Sequence, residues 1–150
     1  MRLALFEPDI PQNAASLIRL ASCVDVPIDI IEPCGFLFTD RGFRRAGMDY
    51  LEAADVVRHD SWSTFLSKSN KQRIVLLTAK GETPFLDFAF SKKDVLLLGR
   101  ESAGVPAYVH ETADARLRIP MRKGVRSLNV AQAGAMVLGE ALRQTKGFPK

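Results

Sequence analysis

From Arg118 to Glu140 the chain reads R-I-P-M-R-K-G-V-R-S-L-N-V-A-Q-A-G-A-M-V-L-G-E. An apolar edge ends at Pro120, a basic glycine loop follows, and Ser127 and Asn129 open a helix in which Gln132 is the one polar residue between Val130 and Leu138. An ordinary surface helix carries an apolar stripe of limited width. This helix is apolar around most of its girth, so its start is expected to be packed on more than one side, next to a loop equipped for ligand chemistry. Ser127 suits the N-cap, where a hydroxyl satisfies an orphan backbone N–H. Asn129 then reads as a first-turn residue.

Apolar runs recur ahead of this helix at Leu3–Phe6, Ile28–Ile31, Val56–Val57, Ile74–Leu77, Val95–Leu98 and Leu117–Ile119. Several are apolar throughout, as in parallel strands covered on both faces. Helical spacing appears between them, over Gln12–Val24 and Ser61–Ser67. Strand and helix alternate, which predicts an α/β fold. The 150 residues suit one domain over 1–150, with no repeat, low-complexity tract or long linker. The stretch from Pro33 to Asp49 is the least regular and reads as a functional loop.

An open parallel sheet binds ligands outside the carboxyl ends of its strands. The first such turn, Glu7-Pro8-Asp9-Ile10-Pro11-Gln12-Asn13, contains no glycine, which argues against a GxGxxG nucleotide site; no Walker A sequence occurs either. If a nucleotide-like ligand binds, it is therefore expected at the late turns. One is Leu98-Gly99-Arg100-Glu101-Ser102-Ala103-Gly104-Val105-Pro106, where Gly99 permits close backbone approach and Glu101 can accept hydrogen bonds. The same residues also suit a plain strand-to-helix turn with an acid favoured by the helix dipole. The other late turn is the basic loop before the last helix.

No run approaches the roughly 18 apolar residues of a membrane span, and Leu3–Phe6 is too short for a secretory core. A cytoplasmic protein without membrane association is expected. Cys23 and Cys34 lack zinc-type spacing and have no histidine nearby, so no metal is expected. His59 and His110 fall in no motif. The formal charge of +4 favours polyanionic partners. Basic residues gather at Arg41, Arg44 and Arg45, at Lys68, Lys71 and Arg73, and at Arg116, Arg118, Arg122, Lys123 and Arg126. Solvated faces explain such clusters as readily as RNA contacts do, since RNA binding requires clustering in space.

Three segments stand together: Pro11-Gln12-Asn13-Ala14-Ala15-Ser16-Leu17-Ile18-Arg19, the Leu98–Pro106 turn, and Arg118-Ile119-Pro120-Met121 with Arg126-Ser127-Leu128-Asn129. Their order and content resemble the three motifs of the SPOUT superfamily of RNA 2′-O-ribose methyltransferases, essentially end to end. The short chain, with Ile31-Glu32-Pro33-Cys34-Gly35-Phe36 and Arg44-Arg45-Ala46-Gly47-Met48-Asp49-Tyr50, is similar to the tRNA (cytidine/uridine-34) 2′-O-methyltransferase family.

The resemblance implies a mostly parallel six-stranded sheet with helices on both faces and a deep C-terminal trefoil knot. It implies a homodimer, S-adenosyl-L-methionine as cofactor and the tRNA anticodon loop as partner. The cofactor is expected at Leu77, Thr78, Gly99, Ile119, Ser127 and Leu128. Catalytic and RNA-side roles are expected at Asn13, Arg19, Glu101, Ser127 and Asn129, and RNA contacts at Arg41, Arg44, Arg45, Arg122, Lys123 and Arg126. The small residues Ala131, Ala133, Gly134, Ala135 and Gly139 would serve threading and pairing. Two positions depart from the family pattern: Ala15 stands where a glycine is common, and Arg100 where proline or serine is common.

Methyl transfer from a sulfonium to a ribose hydroxyl is an in-line displacement, helped chiefly by alignment and by assistance in losing the proton. Arginine stays protonated at any working pH, so Arg19 is expected to bind phosphate and the ribose oxygen and to stabilise the developing alkoxide, with Asn13 and Asn129 fixing the loops. Phe36, Phe38 and Phe43 either stack on unpaired bases or close the core. Two rivals remain: the same chemistry on ribosomal RNA, and a non-catalytic module that binds RNA or the cofactor.

Overall fold

The computed structural model describes residues 1–39, 41, 50, 54–69 and 72–150. Among them, β1 (Arg2–Phe6), β2 (Ile28–Ile31), β3 (Val56–His59), β4 (Ile74–Leu77), β5 (Thr83–Pro84), β6 (Val95–Leu98) and β7 (Ala115–Arg118) form one sheet in the order β3-β2-β1-β6-β4-β7-β5. Every pairing between these strands is parallel. All six expected strands are present. The seventh, β5, is a two-residue strand added at the edge through Thr83 opposite Leu117, too short to leave a periodic signal.

Alternation divides the core. Leu3, Leu5, Ile28, Ile30, Val75, Leu96 and Leu98 point to one face, where they meet α1 (Pro11–Cys23) and α4 (Val130–Thr145). Ala4, Phe6, Ile31, Leu76, Val95 and Leu97 point to the other, against Trp62 and Phe65 of α2 (Trp62–Lys68) and Val109 of α3 (Ala107–Thr112). Successive strand side chains must alternate in this way, and cover on both faces explains the unbroken apolar runs. The first two helices lie within a residue of expectation. Pro11 starts α1 at a position that needs no N–H, and Ser61 caps α2 by accepting from the Thr64 N–H.

The last helix is unevenly buried within this protomer. Gly134, Val137, Leu138, Ala141 and Leu142 are buried, but Gln132, Ala135, Met136 and Arg143 are exposed. One face of α4 therefore packs within this protomer and the other does not; alanine and methionine make the outer face read as apolar. Gly134 marks the closest approach, because a Cβ there would lie 2.8 Å from Leu17 Cδ2 and 2.9 Å from Leu98 Cδ1. Near the end of α4, the Gln144 side chain accepts from the Phe90 N–H at 3.0 Å and donates to the Phe88 carbonyl at 3.1 Å. These two bonds pin the segment between β5 and β6 onto the helix.

His59 belongs to the architecture. It is buried beside Asp29, with Nε2 2.8 Å from Oδ1, and Arg2 Nε donates to Asp29 Oδ2 at 2.6 Å. The three side chains join β1, β2 and β3 through one carboxylate. No helix of the described residues is long and apolar enough to cross a membrane.

Candidate active site

The strand order reverses between β1 and β6: β2 and β3 lie to one side, β4 and β7 to the other. A parallel sheet opens a crevice at such a reversal, outside its carboxyl edge. Here it is a cleft of about 810 Å³, within the usual range for small-molecule sites. Leu77 ends β4 and Thr78 follows it, Gly99 follows β6, Ile119 follows β7, and Ser127 and Leu128 precede α4; all six line the cleft. Leu76, Leu98 and Val130 add apolar wall. Apolar walls with a few polar edges suit a flat purine and an aliphatic chain, so the residues fit the expected cofactor.

The turn after β6 is unusually tight. Arg100 and Gly104 exchange backbone hydrogen bonds at 3.1 and 2.9 Å. A Cβ on Gly99 would fall 2.7 Å from the Gly104 carbonyl carbon, and Gly104 itself has φ +66°. Neither position tolerates a side chain without strain. The fold thus uses two glycines to project Glu101 from the tip of the turn.

Glu101 is where the three motif segments meet. Its Oε1 accepts from Asn13 Nδ2 at 3.2 Å, and Asn13 Oδ1 accepts from Asn129 Nδ2 at 2.9 Å. Asn129 is also the N-cap of α4, its Oδ1 accepting from the N–H groups of Ala131 at 2.9 Å and Gln132 at 3.3 Å. The expected cap, Ser127, instead lies exposed two residues earlier at the cleft wall. Asparagine wins because its amide can cap with the oxygen and still donate to Asn13 with the nitrogen.

Asp9, unanticipated from the sequence, holds the other side of Glu101. The Asp9 N–H donates to Glu101 Oε2 at 3.0 Å, the Glu101 N–H donates to Asp9 Oδ1 at 3.1 Å, and Ser102 Oγ donates to Asp9 Oδ2. Burial raises the Glu101 carboxyl above its ordinary range, and the neighbouring Asp9 adds to the rise. Asp9 is held down at about 2 by its hydrogen bonds to Glu101 and Ser102, against a smaller opposing effect of burial.

The remaining expected site residues are less concentrated. Arg19 does not line the cleft: it is exposed on α1, with its guanidinium carbon 4.8 Å from the Tyr50 ring centre. Arg41 is exposed, while Arg44, Arg45 and Phe43 lie outside the described residues. Arg122, Lys123 and Arg126 are exposed on the loop before α4, whose Met121 and Ser127 do line the cleft. Arg100, the departure from pattern, lines the cleft and pairs through Nη2 with Glu7 Oε2. His110 also lines it, its Nδ1 accepting from Arg116 Nε at 3.2 Å. Among the described residues no cluster of His, Cys, Asp and Glu is arranged to hold a metal ion.

Residues 1–139 match the model of the SpoU rRNA Methylase family. A tRNA (cytidine(34)-2′-O)-methyltransferase of Ancylobacter novellus is 56% identical, over 100% of this chain and 96% of its own length. The protein of the same description from Escherichia coli K12 is 38% identical, over 99% of this chain and 96% of its own. A solved structure described as "Structural insights into the 2-OH methylation of C/U34 on tRNA" superposes with a TM-score of 0.91 at 39% identity, covering 95% of this chain and 94% of that one. AviRb of Streptomyces viridochromogenes, a SpoU methyltransferase solved with the cofactor AdoMet, superposes with a TM-score of 0.86 at 26% identity, covering 96% of this chain and 60% of its own. With its α/β sheet, its carboxyl-edge cleft and a family match that runs from β1 into α4, the chain belongs to the SpoU methylase family.

Proposed function

We propose that this chain transfers a methyl group from S-adenosyl-L-methionine to the ribose 2′-hydroxyl of nucleotide 34 of tRNA, a cytidine or modified uridine. The observation that carries the reading is the Asn129–Asn13–Glu101 hydrogen-bond relay, which joins the three motif segments at the wall of the cleft. Relatives described as acting on cytidine 34 match it along nearly their whole length. An AdoMet-bound rRNA methyltransferase of Sinorhizobium meliloti is less similar, at 27% identity.

The cofactor supplies an electrophilic methyl on a sulfonium, so no metal is called for. Leu77, Gly99, Ile119 and Leu128 would wall the cofactor on its apolar side, and Thr78 and Ser127 would offer it polar groups at the edge. Asn13, Glu101 and Asn129 hold the turn after β6 and the start of α4 in one geometry, which in-line displacement demands. Glu101, half-buried and with raised proton affinity, can take part in moving the hydroxyl proton. Arg19 serves the reaction only when bound RNA or a second copy brings it to a cleft.

The protein acts as one domain over residues 1–150, in the cytoplasm, as a homodimer with a knotted C-terminal segment. Support for pairing comes from the outer face of α4, where Ala135 and Met136 are exposed and a Cβ on Gly139 would meet nothing within 4 Å. Support for threading comes from the Gln144 bonds to the segment before β6 and from Gly134 seated on Leu17 and Leu98. RNA contact falls to Arg41, Arg122, Lys123 and Arg126, all exposed, and to Arg44 and Arg45, which lie outside the described residues.

Incubation of the protein with labelled S-adenosyl-L-methionine and unmodified tRNA, followed by nuclease mapping, is the direct test. A 2′-O-methyl group at position 34 is expected. Labelling of ribosomal RNA alone, or of another tRNA position, overturns the reading.

A further inference from the structure

Asp9 touches two things that the methyltransferase reading keeps apart. On one side it exchanges hydrogen bonds with Glu101, as backbone donor at 3.0 Å and side-chain acceptor at 3.1 Å, and takes the Ser102 hydroxyl on its second oxygen. On the other, the segment after β2 lies directly on its backbone. The Gly35 N–H donates to the Pro8 carbonyl at 2.9 Å. A Cβ on Gly35 would fall 2.8 Å from Asp9 Cβ and 2.9 Å from Asp9 Cα, so only glycine fits. Residues 33–39 lead into the arginine-rich loop expected to face RNA.

We propose that Asp9 is a positioning residue that couples the segment around Gly35 to Glu101, so that the placement of this segment after β2 sets the placement of the Glu101 carboxyl in the cleft. The proposal rests on the methyltransferase reading for its consequence, and on geometry alone for its mechanism. Both carboxyl oxygens of Asp9 are engaged by the Glu101–Ser102 turn, and Gly35 is engaged by Pro8 and by the Asp9 backbone. A displacement of either partner strains its contact with Asp9, because each is a direct hydrogen bond or a close van der Waals approach. Asn13 restrains Glu101 from α1. Among the described residues, further charged or titratable groups on this side of the sheet are Glu7, paired to Arg100, and Cys34, whose thiol is pushed up to about 12 by burial and by Glu32, and Lys80, His110 and Glu111 line the same cleft.

Three variants test this: Asp9→Ala, Asp9→Asn and Gly35→Ala. Each is measured for cofactor affinity by calorimetry, for single-turnover methylation of tRNA, and for the titration of the Glu101 carboxyl by carbon NMR in the free protein. Asp9→Ala is expected to lower turnover about tenfold, the scale of one lost positioning hydrogen bond, with cofactor affinity within about twofold. Asp9→Asn keeps the shape and one accepting oxygen and recovers part of the turnover, yet in both variants the Glu101 titration moves to lower pH because the neighbouring charge is gone. Gly35→Ala, which touches no cleft residue, lowers turnover through Asp9 and also shifts the Glu101 titration. Unchanged turnover in Asp9→Ala and Gly35→Ala overturns the proposal, and so does an unmoved Glu101 titration. Loss of cofactor affinity in step with turnover overturns it as well, since that marks a general structural role. A wild-type protein inactive on tRNA would sink the functional reading while the titration still tests the coupling.

Discussion

Asn129 donates through Nδ2 to Asn13 Oδ1 at 2.9 Å, across 116 residues of chain. One side chain thereby caps the last helix and locks the first helix to it, next to a carboxylate in the cleft. The stability of α4 and the geometry of the site depend on different atoms of this one amide.

Those two roles separate by substitution. Asn129→Ala should cost about 1 kcal/mol of stability through the lost cap and also lower methylation. Asn129→Asp retains the capping oxygen, and its charge suits a helix N-terminus, yet it has no donor for Asn13. It should unfold within about 0.5 kcal/mol of wild type while turnover falls. Urea denaturation and single-turnover assays on both variants decide; full turnover in Asn129→Asp would show that the Asn13 bond is idle.

Glu101 makes stability depend on pH in a definite direction. Burial, then Asp9, raise its carboxyl above the ordinary value of 4.5. The contribution of such a group is complete below 4.5 and is lost as pH rises through the raised value. Glu101→Gln cannot ionise, so its stability relative to wild type should increase with pH above 4.5 and level off below it. Asp9 behaves oppositely: held at about 2, it favours the fold above 3.8 and loses that contribution as pH falls toward about 2. Denaturant unfolding at a series of pH values checks both, and a flat difference between wild type and Glu101→Gln would contradict the first.

Arg19 lies six residues beyond Asn13 on α1, about 9 Å along the axis, on the exposed face. Arg19→Ala should abolish methylation and leave cofactor affinity unchanged. If Arg19 serves the cleft of a second copy, an equal mixture of Arg19→Ala with Asn129→Asp regains about a quarter of wild-type activity, from the half of the dimers that are mixed and the one sound cleft in each. Absence of any recovery assigns Arg19 to its own protomer.

Neutralising Arg122, Lys123 and Arg126 together should weaken tRNA binding and leave cofactor binding intact. Each phosphate interaction removed should reduce the salt dependence of binding by about 0.7 in the log–log slope. Filter binding across a range of salt concentrations measures this, and an unchanged slope would mark the three as solvated bystanders.

The strands were legible because burial on both faces leaves uninterrupted apolar runs, as at Ile28–Ile31 and Val95–Leu98, and α1 because Pro11 announces its start. The edge strand Thr83–Pro84 and the six-residue helix Ala107–Thr112 were not, since neither is long enough to display a period. Gly99 and Glu101 stood out in their turn, and the cleft does contain them. Asp9 passed unnoticed because nothing local to Pro8-Asp9-Ile10 reveals a partner 92 residues away.

Sequence alone therefore determined the α/β class, the absence of a phosphate loop at the first turn and the two late turns that border the cleft, because periodicity and turn chemistry act between near neighbours; the remaining cleft positions came from the family resemblance. Only the tertiary structure decided that Asn129 rather than Ser127 caps α4, that Arg19 stands away from the cleft of its own protomer, and that Asp9 grips Glu101. Those outcomes hang on side-chain atoms brought within about 3 Å by the whole sheet, a distance no local pattern encodes.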